Sequence, residues 1–196
     1  ISNLIIKYKP HEFYNLAAMS HVGISFYTGE ATLNINTLAS YRILESILKN
    51  HKKCKFYQAS SSEMFGSTPP PQNEKSSFNP QSPYGISKVS AFHTTKYFRQ
   101  AHGLFASNGI LFNHESPRRG LNFVTRKITH SLARILGGYE KKIHLGDIST
   151  RRDWGHSKDY VRGIWMILQY KKPEDFVLST GKNYSIEDFI KKVFKI

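Results

Sequence analysis

Apolar and polar positions alternate along the chain in two rhythms. Short runs of apolar and small residues at 12–18, 55–60 and 105–114 read as buried strands. Between them lie longer stretches of helical period. Residues 31–50 carry Leu33, Leu38, Tyr41, Leu44, Ile47 and Leu48, and residues 84–101 form a second such stretch. A loop with Pro69, Pro70 and Pro71, closed by Pro80 and Pro83, separates the second strand from the second helix. After Pro117 the elements shorten. Helices are expected at 124–136, 158–168 and 185–194, with a short strand at 143–145. The chain opens in an apolar, helix-like stretch without a start methionine and closes in mid-pattern at 189–196. A piece of a longer chain is therefore the expectation.

Strands alternating with helices predict α/β architecture, a doubly wound parallel sheet joined by right-handed crossovers. The drawn boundary falls at 116/117, with a smaller α/β region beyond it. In such sheets ligands sit outside the carboxyl ends of the strands. Three of those ends finish in small or polar residues, at 17–20, 59–63 and 113–116. Small side chains let a flat ligand approach the backbone, and ordinary polar capping of strand ends explains the same composition.

With 39% hydrophobic and 13% aromatic residues, 196 residues suffice for a packed core, and no apolar run reaches membrane-spanning length. The single cysteine, Cys54, excludes an internal disulfide and any multi-cysteine zinc site, and a cytoplasmic location is expected. Twenty-eight Lys and Arg against 14 Asp and Glu leave a formal charge of +14. The lysines are scattered like a solvated face. Six of the nine arginines, Arg118, Arg119, Arg126, Arg134, Arg151 and Arg152, lie between 118 and 152. Their planar forks suit phosphate, so an anion site is expected there.

Tyr84 and Lys88 are spaced i and i+4 and share a helix face. A phenol ordinarily titrates near 10, and a fixed ammonium beside it favours the phenolate. The spacing alone is common. Together with Ser61 and Glu63, and with the stretches NGILFNHESPRRG, NFVTRK and RDWGHSKDYV, it resembles the extended short-chain dehydrogenase/reductase superfamily and, within it, the GDP-mannose 4,6-dehydratase family.

The resemblance implies a Rossmann-like fold truncated at its N-terminus. Residues 1–116 would be a partial NADP-binding domain and 117–196 a partial nucleotide-sugar-binding region. It implies internal redox chemistry on GDP-mannose, giving GDP-4-keto-6-deoxymannose through NADP. Tyr84 would be the base at the sugar 4-hydroxyl, Lys88 its partner, Glu63 the base at C5, and Ser61 the hydroxyl aiding loss of the C6 oxygen. Ser61 stands where the family usually has threonine. Cofactor contacts carry over to Leu16, Ala17, Ala18, Met19, Ser20, Tyr84, Lys88, His114 and Arg119, and substrate contacts to Asn122, Lys127 and Arg152. No metal is implied. Asp153 and Asp159 are expected to cap or brace helices, and Trp154 and Trp165 to pack. A homo-oligomer is the family's habit.

One departure stands out. No two of the 13 glycines lie two or three residues apart, so no Gly-rich pyrophosphate turn is present. Weak NADP binding by these 196 residues alone is expected. The rival readings are an inactive remnant that binds nucleotide-sugar or a partner subunit, and a nucleic-acid binder resting on charge alone.

Overall fold

The computed structural model describes residues 1–195; residue 196, the last of the expected 117–196 region, lies outside the described residues. The elements run α1 (Ser2–Tyr8), β1 (Glu12–Asn15), α2 (Val22–Ser25), α3 (Gly29–Leu33), a π-helical turn (Asn34–Leu38), α4 (Ala39–Asn50) and β2 (Lys55–Ser61). Then come α5 (Pro83–His102), β3 (Ala106–Leu111), β4 (Asn113–Glu115), α6 (Val124–Leu136), β5 (Arg151–Arg152), β6 (Trp154–His156), α7 (Ser157–Gln169), β7 (Asp175–Leu178), β8 (Tyr184–Ser185) and α8 (Ile186–Val193). No helix among the described residues is long and apolar enough to cross a membrane.

Contacts divide the chain into two compact units, residues 1–111 with 161–178, and residues 112–160 with 179–196. The expected single cut at 116/117 becomes a crossing and a return, because residues 161–178 come back to the first unit. The reason is β7, which the sequence reading had not placed as a strand. It joins the main sheet beside β3, giving four parallel strands in the order β1-β2-β3-β7.

In the first unit every residue of β3 is buried, as are Phe56, Tyr57, Gln58 and Ser60 of β2, and Phe56 faces a core of Ile5, Ile43, Leu44, Ile47, Phe98 and Leu104. Helix α4 meets this core through Ile43, Leu44 and Ile47 and α5 through Phe98, while Ala91, Phe92 and Thr95 continue the buried face of α5 at spacings of three and four. The sheet's outer edge at β7 is partly covered. The backbone N–H of Val177 donates to Glu74 Oε1 at 2.8 Å, from the proline-rich loop. No strand pairs with the free side of β1 among the described residues.

Two expectations change. The helix expected over 31–50 contains the π turn, and its buried face is Thr32, Asn36, Ser40, Ile43, Leu44 and Ile47, whereas Leu33, Leu38 and Tyr41 keep 39–49% of their surface exposed. Polar residues can line that face because they are paired. Ser40 Oγ donates to Gln58 Oε1 at 3.0 Å, and Asn15 Nδ2 donates to the same oxygen at 2.9 Å. The first strand also stops at Asn15, so Leu16, Ala17 and Ala18 lie in the loop beyond its carboxyl end.

The second unit contains two small pairings, β4 with β6 in parallel and β5 with β8 antiparallel. The strand expected at 143–145 does not form, and those residues are irregular. Helix α8 begins with a reciprocal cap. Ser185 Oγ accepts from the Asp188 N–H, and the Asp188 carboxylate accepts from the Ser185 N–H, each at 2.9 Å.

Candidate active site

In the first unit, β2 delivers Ser61 to the carboxyl end of the sheet, where a single 3-10 turn, Ser62–Met64, follows at once. Ser61 Oγ accepts from the Glu63 backbone N–H at 3.2 Å. That bond caps the turn and leaves the hydroxyl proton of Ser61 free to donate elsewhere. Helix α5 starts beside it because Ser82 caps the Gly85 N–H at 3.0 Å and Pro83 occupies the first helical turn. Residue 85 is glycine for a steric reason. A Cβ there would lie 2.8 Å from the Glu63 carbonyl oxygen and 2.9 Å from Pro80. The close approach sets the backbone of Glu63 against the first turn of the helix that carries Tyr84 and Lys88.

Tyr84 is 8% exposed and Lys88 4% exposed. The Lys88 Nζ lies 5.7 Å from the centroid of the Tyr84 ring and donates to the Ala59 carbonyl at 2.8 Å. One of its three protons is thereby used, on the strand that supplies Ser61. Burial pushes the Lys88 ammonium down to about 8. It still carries its charge for the most part at neutral pH, and a buried charge beside a phenol acts through little intervening water.

The sign of the linkage is fixed by this depression. Between about 8 and the ordinary 10.5, the unfolded chain holds a proton that the folded chain has lost. The Lys88 contribution to stability therefore rises with pH across that window, and below it the charge is held at a cost. Lys88→Met is expected to exceed the parent in stability at pH 7 by on the order of 2 kcal/mol. The gap should shrink towards pH 10. Urea midpoints at the two pH values check this, and a gap that does not change with pH would contradict it.

A residue that the sequence reading passed over joins the pieces. Asn36, 2% exposed, is turned inward by the π turn. Its Oδ1 accepts from the Met19 N–H at 2.9 Å, and its Nδ2 donates to the Met19 carbonyl at 3.1 Å and to Ser87 Oγ at 2.9 Å. Ser87 Oγ in turn donates to the Tyr84 carbonyl at 2.7 Å. One amide thus ties the loop of Leu16, Ala17, Ala18, Met19 and Ser20 to the helix turn holding Tyr84 and Lys88. Within that loop Leu16, Ala17 and Ser20 are exposed. The available signal was a run of polar residues, Asn34, Asn36 and Thr37, inside an otherwise apolar helical stretch.

The remaining candidates lie in the second unit. The His114 ring stacks on Tyr160, with centroids 4.7 Å apart and planes 19° apart, and its Nδ1 is 2.8 Å from the Phe112 carbonyl. A carbonyl only accepts, so Nδ1 carries the proton and Nε2 of the neutral ring is an acceptor. Gly155 makes room for the stack, since a Cβ there would lie 2.3 Å from the Tyr160 ring. The Arg119 guanidinium rests 3.6 Å from the centroid of Phe123, and its Nε is 3.2 Å from Glu115 Oε2, close as an ion pair although the N–H is not aligned as a hydrogen bond.

Asn122 is exposed, Lys127 Nζ donates to the His144 carbonyl at 2.6 Å, and Arg152 Nη1 donates to the Arg151 carbonyl at 2.8 Å. Two expectations are corrected here. The Asp153 carboxylate accepts from the Thr180 and Gly181 N–H groups, so it braces a turn and not a helix. Trp165 is 55% exposed and so lies more at the surface than in a core, whereas Trp154 tilts against Phe189 with centroids 5.5 Å apart.

A family model described as GDP-mannose 4,6 dehydratase matches residues 1–196. GDP-mannose 4,6 dehydratase 1 of Arabidopsis thaliana is 50% identical over 186 residues, which cover 93% of this chain and 52% of that protein. GDP-mannose 4,6 dehydratase of Homo sapiens is 48% identical over 198 residues, covering 97% of this chain and 52% of that one. The chain thus spans about half the length of these relatives. Among solved structures, UDP-glucose 4-epimerase of Thermotoga maritima with UDP-glucose aligns at a TM-score of 0.89 with 26% identity, over 99% of this chain and 63% of the other. RMD from Pseudomonas aeruginosa complexed with NADPH aligns at 0.88 with 23% identity, over 93% and 64%, a likeness of fold.

Proposed function

Because the chain belongs to the GDP-mannose 4,6-dehydratase family, we propose that its residues serve the conversion of GDP-mannose to GDP-4-keto-6-deoxymannose with NADP. The observation that carries this reading is the buried Lys88 one turn from Tyr84, with Ser61 and Glu63 set against the start of the same helix.

The residues present fit a nicotinamide cofactor. Lys88 is buried and spends one of its three protons on the Ala59 carbonyl, and Leu16, Ala17 and Ser20 of the loop at the end of β1 are exposed. Leu16, Ala17, Ala18, Met19 and Ser20, together with Lys88, His114 and Arg119, would hold it. Bound there, NADP would supply a hydride acceptor and donor for an internal redox reaction between C4 and C6 of the sugar. The NADPH of the Pseudomonas aeruginosa RMD structure is in keeping with that choice.

In this reading Tyr84 takes the proton of the sugar 4-hydroxyl as the C4 ketone forms, and the Lys88 charge favours the phenolate that accepts it. The ketone acidifies C5–H. Glu63 removes that proton, the C5–C6 double bond forms, and the C6–O bond breaks. The departing hydroxyl leaves as water by gaining one proton, equal in number to the one Tyr84 took, with the Ser61 hydroxyl assisting. Glu63 then returns its proton to C5, so the sugar has lost one water and nothing else. Asn122, Lys127 and Arg152 are the proposed contacts of the nucleotide-sugar, the cationic groups of Lys127 and Arg152 suited to its diphosphate.

The test is incubation of the chain with GDP-mannose and millimolar NADP, the high concentration offsetting the lack of a Gly-rich turn. Product lighter by the mass of one water supports the reading, and unchanged GDP-mannose after NADP binding has been demonstrated counts against it. A second copy of this chain is the proposed partner. Leu38 in the π turn, Tyr41 on α4, and Ile86 and Tyr97 on α5 are each between 43% and 50% exposed. Light scattering giving only the 22.5 kDa monomer would count against such assembly.

A further inference from the structure

The second unit contains a concavity of about 440 Å³, a size that accommodates a small molecule. Its walls include Pro117, Trp154, Gly155 and Phe189, with Arg126 and Glu115 among them. The tilted rings of Trp154 and Phe189, beside a residue without a side chain, favour a flat apolar body.

The polar groups of the walls are unevenly committed. Thr125 Oγ1 donates to Glu115 Oε2 at 2.6 Å, Thr129 Oγ1 donates to the Arg126 carbonyl at 3.2 Å, and Ser116 Oγ accepts from the Arg118 N–H at 3.2 Å. The Glu115 carboxylate also faces Arg119 at 3.2 Å, so its charge is balanced. Arg126 is different. It is half-buried, and its guanidinium makes no hydrogen bond or ion pair among the described residues. His156 on the same rim accepts from the Lys158 N–H at its Nδ1, 3.1 Å away, so its neutral ring carries the proton on Nε2 and offers a second donor. The Arg126 guanidinium and the Nε2 of His156 therefore remain open as donors, while Glu115 Oε2 is engaged by Thr125 and Arg119.

We propose that this concavity takes a planar aromatic carboxylate, its ring against Trp154 and Phe189 and its carboxylate on Arg126. The guanidinium fork matches a carboxylate in two parallel hydrogen bonds. A dianion fits less well, because Glu115 stands on the same wall. The site is separate from the proposed nucleotide-sugar contact at Lys127. Thr125, Arg126 and Thr129 face the concavity, whereas Lys127, two residues from both threonines, lies round the helix and reaches His144.

The test titrates the 196-residue chain with 2-naphthoate, its neutral isostere 2-naphthamide and the dianion 2-naphthyl phosphate. Tryptophan fluorescence and calorimetry report binding. Naphthoate is expected to bind about tenfold more tightly than naphthamide, the size of one charge-assisted contact at a half-buried site. Arg126→Gln should erase that preference while circular dichroism shows the fold intact. Equal affinity for naphthoate and naphthamide would make the concavity a merely apolar surface and overturn the proposal. So would a preference that survives Arg126→Gln, tighter binding of the phosphate, or no binding of any probe.

Discussion

Tyr84→Phe is expected to lower turnover of GDP-mannose by about 10²–10⁴-fold, the contribution of a positioned general base, while affinity for the nucleotide-sugar stays within about twofold. The substitution removes one oxygen and keeps the ring. The helix start is held by other atoms. The Ser82 cap bonds the Gly85 N–H, the Tyr84 N–H donates to Ser25 Oγ at 3.1 Å, and the Tyr84 carbonyl accepts from Ser87. None of these uses the phenol, so the fold of the site should survive and the loss should fall on kcat. Calorimetric affinity together with product formation distinguishes the outcomes. Turnover near the parent level would show that another group takes the hydroxyl proton, and lost affinity with the fold intact would make Tyr84 a binding residue.

Arg99→Leu is expected to remove about 3 kcal/mol of stability, because it strands a mostly buried carboxylate. Arg99 meets Asp175 with both arms of its fork, Nη1 to Oδ1 at 2.9 Å and Nη2 to Oδ2 at 2.8 Å, and Nη1 also donates to the Ala106 carbonyl at 3.1 Å. The two side chains are only 13% and 15% exposed. Asn108 Nδ2 donates to the same carboxylate at 2.8 Å and would be its remaining partner. Asp175 opens β7, so the strand that returns to the sheet from far along the sequence is the one expected to loosen first. Adding Asp175→Leu should recover much of the loss, since an apolar pair replaces a charged one. Urea denaturation of the three variants checks this, and a single-variant loss below about 1 kcal/mol would place the pair among surface bridges.

The parts of the fold that sequence reading recovered have strong local signals. Buried runs mark β2 and β3, and the Ser-Pro entry and long helical period mark α5. What escaped lacks such signals. β5, β6 and β8 are two or three residues long, too short to show any period, and each exists through a partner remote in sequence. β7 has four half-buried residues and is fixed by Arg99 and by β3. Its distant pairing is also why one linear cut could not describe the two units.

The π turn misled the reading of the helical stretch at 31–50 for another reason. A single 3.6-residue period assigns Leu33, Leu38 and Tyr41 to the core, but a wider turn shifts the faces on either side of it, and the inward face carries Thr32, Asn36 and Ser40. At the candidate site, Tyr84 and Lys88 were legible because one helix turn relates them. Asn36 was not, because its partners Met19 and Ser87 are 17 and 51 residues away.

The carboxylate of Glu74 on the Val177 N–H occupies a peptide group that a further strand would otherwise pair with. A strand from another molecule would have to displace that side chain to add along β7, so this margin of the sheet resists edge-to-edge growth.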